Sequence, residues 1–255
     1  MLGGIIFAAA LVAGSGDLSN GSLDGAGLRQ AITANQSGSA APSVGRKFRV
    51  VIPFADGRKV NMQTLQSPAH WTYNAQSKVL KLVVGLGEIS RANYSAFDSQ
   101  NLGALPPLQT LVFSTDESRR TVVVQDMVEQ PSPQVGYTRA QRATVSSFGL
   151  LAVDDAGARG LPEGFRPLMI QEIRLPSSDL RPTVNGLSLI VEGETVDLNG
   201  GSTVLCGDYN GNVGTHEINN AQTVMIEAHQ CFVTVRITRA LVADGHRNIL
   251  ASWPR

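Results

Sequence analysis

Near its C-terminal end the chain reads Cys231-Phe232-Val233-Thr234-Val235-Arg236-Ile237-Thr238, and this alternation constrains the fold more than any other feature. In an extended chain Cys231, Val233, Val235 and Ile237 fall on one face, and Thr234, Arg236 and Thr238 on the other. A period of two marks a half-buried strand with one face to the core and one to water. The same period recurs at Phe48, Val50 and Ile52, at Leu80, Leu82 and Val84, and at Leu187, Leu189 and Val191. Shorter strand-like runs lie at Leu111–Phe113, Thr121–Val124, Leu168–Leu175 and Thr223–Glu227. Turn pairs separate them: Asp56-Gly57, Asn185-Gly186, Asn199-Gly200-Gly201, Asn210-Gly211 and Asp244-Gly245. Asn-Gly and Asp-Gly suit the tight turns that join antiparallel strands. The expected fold is therefore mostly β: an antiparallel β-sandwich or barrel-like fold of one or two β units, with a short helix after an N-terminal leader.

The 255 residues suffice for one large β domain or two small ones. With 42% hydrophobic and only 16% charged residues, the chain can fill a core and is not of disordered composition. Lys+Arg and Asp+Glu balance at 21 each, which lacks the basic surplus of a nucleic-acid binder.

Residues 1–16 are apolar or small, with no charge before Asp17. They read as a candidate signal peptide, although no Lys or Arg precedes the run. The run falls short of the roughly 20 apolar residues that span a bilayer, so no transmembrane segment is expected. Residues 17–45 read as a flexible segment containing a short helix at Leu28–Asn35, with Asp24 near its start. A β domain follows over 46–176. The polar, proline-bounded segment Pro176–Pro182 then introduces a C-terminal β unit over 183–255.

That unit holds both cysteines. Cys206 and Cys231 each adjoin a strand-like run, and two neighbouring strands bring Cα atoms within bridging distance, so a disulfide is expected. An exported protein, secreted or periplasmic, agrees with such a bridge. Neither cysteine has the short spacing of a metal site, so no metal and no cofactor are expected.

Signatures of catalysis are weak. Gly85-Leu86-Gly87 begins like a dinucleotide fingerprint but fits a turn or bulge better. His216-Glu217 starts like a zinc helix, but Asn220 replaces the second histidine. Asp208-Tyr209-Asn210-Gly211-Asn212 resembles half a calcium loop, yet Val213 and Asn219 occupy the positions of its glycine and glutamate; a hairpin turn near Cys206 is the expectation. Asp116-Glu117 and Asp154-Asp155 read as turn residues, and no catalytic residue is assigned. Trp71 and Tyr73 would share one strand face, where an exposed pair could stack on a sugar or meet a partner. The binding candidates are thus Trp71, Tyr73, Asp208, Tyr209 and Asn210. The expected function is an exported, non-catalytic β protein that binds a protein or glycan or joins an envelope or extracellular assembly. A secreted hydrolase using paired carboxylates is the competing reading.

Overall fold

The computed structural model describes residues 22–36, 41–58, 67–89, 108–128, 134–153, 160–198, 203–217 and 220–254. Over 119–128, 134–142, 209–217 and 220–227 it describes the backbone alone. The candidate signal peptide, the pairs Asp154-Asp155 and Asn199-Gly200, and Gly201 lie outside the described residues.

The protein is mostly β, with two sheets and two helices among the described residues. The elements are α1 (Gly25–Gln36), β1 (Lys47–Pro53), β2 (Ala55–Asp56), β3 (Ala69–Asn74), β4 (Val79–Gly85), β5 (Gly87–Ile89), β6 (Leu108–Val128), β7 (Gln134–Ala152), β8 (Leu168–Arg174), α2 (Ser177–Val184), β9 (Ser188–Thr195), β10 (Val204–Glu217), β11 (Asn220–Ala243) and β12 (Ile249–Trp253). One sheet has eight strands, in the order β1-β9-β11-β7-β6-β5 with β10 and β12 also on β11; the other has four, in the order β2-β3-β4-β8.

Alternation sets which side chains go inside. Phe48, Val50 and Ile52 of β1, Leu80, Leu82 and Val84 of β4, and Leu189 and Val191 of β9 are all buried. With Trp71, Val233, Val235 and Ile237 they form one core to which both sheets contribute. Burial of this kind stabilises by about 25 cal/mol per Å² of apolar surface removed from water. The middle of β11 departs from the half-buried expectation, because Phe232 and Thr234 on its other face are buried too. Phe232 joins Ile89, Leu108, Leu151, Val153, Val196 and Leu205 in a second apolar cluster, and the Thr234 hydroxyl donates to the Val196 carbonyl at 2.6 Å.

Helix α1 forms where the sequence placed it. The Asp24 carboxylate accepts the Gly27 N–H at 2.7 Å, satisfying one of the free donors of the first turn. Leu28 and Ile32, four apart and so on one face, are fully buried. Arg29 reaches across to Asp116 of β6 (Nη1–Oδ1 3.1 Å) and lies over the Phe148 ring, 4.7 Å from its centroid. Asp116 and Glu117 are therefore strand residues, paired with Ser146 and Val145 of β7, and not a turn. The runs at 111–113 and 121–124 belong to the single strand β6.

Among the described residues the ladders between strands are antiparallel except for the short β2–β3 ladder and a long parallel ladder between β7 and β11, from Gln141↔Val224 to Ala152↔Val235. Gly149 makes the latter close: a Cβ there would lie 2.7 Å from the ring of its neighbour Phe232. The Pro176–Pro182 segment starts helix α2. Strands from both sides of it share the large sheet, through β1–β9 and β7–β11. At Gly85-Leu86-Gly87 the chain passes from β4 of the small sheet to β5 of the large one.

Candidate functional site

Trp71 of β3 is buried beside its cross-strand partner Leu82, with the Arg58 guanidinium 5.2 Å from its ring centroid. Tyr73 shares that face and packs against the core, while its hydroxyl donates to the Leu175 carbonyl at 2.9 Å and lies 3.0 Å from the Ser177 hydroxyl. Alternation does put the two rings on one face. It is the core face, so Trp71 offers no open surface for a sugar to stack on.

Asp208, Tyr209 and Asn210 lie within strand β10 and not in a turn. Their partners on β11 are His229, Ala228 and Glu227. The hairpin closes further on, after the Glu217↔Asn220 pair, so the Asn210-Gly211 signal is overridden by an unbroken ladder from Val204↔Val233 onward. The half-loop pattern at 208–212 consequently forms no calcium loop. The side chains of Tyr209, Asn210, His216 and Glu217 lie outside the described residues.

The register builds a cluster on one face of this hairpin. Cys206 is directly opposite Cys231, and Asp208 directly opposite His229. Residues two apart on a strand point the same way, so all four side chains share a face. Cys206 and Cys231 form a disulfide, with Cα atoms 4.1 Å apart. That separation belongs to the closer, non-hydrogen-bonded kind of antiparallel pair. The ladder agrees, because the Thr234 N–H donates to the Thr203 carbonyl at 2.9 Å and hydrogen-bonded pairs alternate with the others. A bridge between residues 25 apart in sequence stabilises the fold by about 3–4 kcal/mol in the chain-entropy model.

His229 connects the cluster. Its Nδ1 is hydrogen-bonded to the Asp208 carboxylate, and its Nε2 lies 3.3 Å from Cys231 Sγ. An ionised carboxylate only accepts, so Nδ1 carries the proton and the Nε2 lone pair faces the sulfurs. Gln36, the last residue of α1, brings its amide nitrogen into the same space. That nitrogen is 3.0 Å from Cys231 Sγ, 3.7 Å from Cys206 Sγ and hydrogen-bonded to His229 Nε2. Cys231 is fully buried, whereas Asp208 is largely exposed. The cluster therefore opens to solvent on its carboxylate side.

The cysteine pair and Asp208 stand out in the sequence, whereas their junction with His229 and Gln36 does not. The signal was two i, i+2 pairs, Cys206/Asp208 and His229/Cys231. A disulfide at 206–231 places 208 opposite 229 in any antiparallel ladder without a bulge; reading 208–212 as a turn concealed this.

Compared with protein-family models, with curated proteins and with solved structures, the chain matches none. No helix among the described residues is long and apolar enough to cross a membrane.

Proposed function

We propose that the chain is an exported, non-catalytic β module that joins an extracellular or envelope assembly by adding strands at open sheet edges. The observation that carries this reading is strand length. β6, β7, β10 and β11 have 21, 19, 14 and 24 residues, where strands of globular proteins usually have about 3–10. They lie side by side in the order β10-β11-β7-β6. Among the described residues no strand pairs the outer edge of β10 from Gly207 to Glu217, or that of β6 from Ser118 to Val128. An unpaired edge is a template for a strand from another chain. The disulfide supports an oxidising compartment outside the cytoplasm.

Size-exclusion chromatography with light scattering on the oxidised protein tests the reading. Concentration-dependent oligomers are expected. Asn212 sits at a non-hydrogen-bonded position of the β10–β11 ladder, so its N–H points to the open edge. Asn212→Pro removes that donor while sparing the ladder to β11, and shifts the distribution toward monomer. A wild-type protein that stays monomeric at every concentration overturns strand addition and leaves a glycan array as the next experiment.

A further inference from the structure

Cys206 Sγ, Cys231 Sγ and His229 Nε2 lie within 4.8 Å of one another. All three belong to one face of two paired strands, so a rigid ladder sets their spacing. The Gln36 amide nitrogen occupies the point on which they converge, and a donor surrounded by two sulfurs and an imidazole lone pair marks a place suited to a cation. Two thiolates and one imidazole are the protein ligands of a known type of tetrahedral zinc site, which leaves a fourth position for water or another ligand. Asp208 on Nδ1 is the outer carboxylate that fixes the tautomer of a metal-binding histidine and makes it a better donor.

We infer that the reduced protein binds one zinc-class divalent cation through Cys206, Cys231 and His229, with Asp208 orienting the imidazole, so that the disulfide and the metal are alternative states of one site. The redox step is a two-electron exchange with a dithiol reductant. The reductant's two S–H groups become its own disulfide, the Cys206–Cys231 bond breaks, and two protons and two electrons yield two thiols. Metal binding then releases two protons, one from each thiol, and the two thiolates neutralise the divalent charge. The sulfurs separate by side-chain rotation on a fixed ladder. The Gln36 amide moves off the convergence point, and its oxygen or a water fills the fourth position. Carboxylate, carbonyl and water ligands alone favour hard cations such as magnesium and calcium, whereas the sulfur pair selects a borderline or soft ion.

The test uses the full chain, reduced anaerobically with a phosphine and titrated with cobalt(II). One equivalent per chain is expected, with sulfur-to-cobalt charge-transfer absorption, the intense d–d bands of a tetrahedral ion, and displacement by zinc. Zinc should also raise the melting temperature of the reduced protein. The oxidised protein should show none of these effects. His229→Gln should keep the melting temperature of the oxidised wild type yet lose the tetrahedral spectrum when reduced. Asp208→Asn should keep the spectrum but weaken binding about 10–100-fold. A reduced wild type without the charge-transfer band, folded or not, overturns the inference. Equal binding by His229→Gln, or binding by the oxidised protein, overturns it as well.

Discussion

Strand β3 and the β10–β11 hairpin are the two regions where the sequence concentrates its most distinctive side chains, and they use them in opposite ways. In β3, Trp71 and Tyr73 point into the core, and the Tyr73 hydroxyl is satisfied by Leu175 and Ser177. In the hairpin, Cys206, Asp208, His229 and Cys231 line one face, with a buried sulfur at one end and an exposed carboxylate at the other. Both regions obey the same alternation. Apolar area drives rings inward, whereas a row of polar and sulfur groups can stay at a surface and keep its chemistry. A face shared by two residues is thus a backbone property, and the fate of the face is decided by what packs on it.

The comparison breaks most sharply at Trp71. If its role is packing, Trp71→Ala costs about 3–5 kcal/mol in a denaturant melt, as for other large buried aromatics. A loss of ligand binding with no loss of stability would instead assign it to a surface site. Next comes the bridge. The double variant Cys206→Ser/Cys231→Ser should lose about 2–4 kcal/mol, and the same loss should follow reduction of the wild type.

The far end of β11 supplies a third test, because there a polar cluster closes a turn. Asp244 lies in the turn between β11 and β12, and its carboxylate accepts the N–H groups of His246 (2.9 Å) and Asn248 (2.8 Å) and the Asn248 side-chain amide (2.8 Å). Burial disfavours the charged form, but these hydrogen bonds outweigh it and hold the carboxyl below its ordinary range. The stabilisation is therefore complete above the ordinary carboxylate range and is lost as pH falls through the depressed folded value. Asp244→Ala should cost about 1–3 kcal/mol at neutral pH. Its stability should also vary less with acid than that of the wild type. A wild-type-like acid dependence would place the titration elsewhere. The smallest effect belongs to Tyr73→Phe, which removes one hydroxyl from a partly exposed position and should cost about 0.5–1.5 kcal/mol by thermal melt.

Where short-range physics dominates, local pattern and structure agree. The buried faces of β1, β4 and β9 match their alternation residue for residue. Gly186 follows Asn185 into a turn with φ +90°, a backbone conformation that glycine adopts freely. Local signals lose where they compete with a long ladder. Asn210-Gly211 and Asp116-Glu117 have turn chemistry, but each is held extended by a ladder to one neighbouring strand that continues before and after it. Pairing register overrides propensity where many consecutive hydrogen bonds depend on it.

By itself, the sequence determined the strand-rich fold, the helix near Leu28 and the cysteine pair, because period, capping and the short reach of a disulfide act over a few residues. Long-range packing sets the parallel course of β7 beside β11, the burial of the faces of Trp71 and Thr234, and the meeting of Gln36 with His229. Those facts depend on contacts between segments far apart in the chain, and the identity of the partner, not the local pattern, sets their energy.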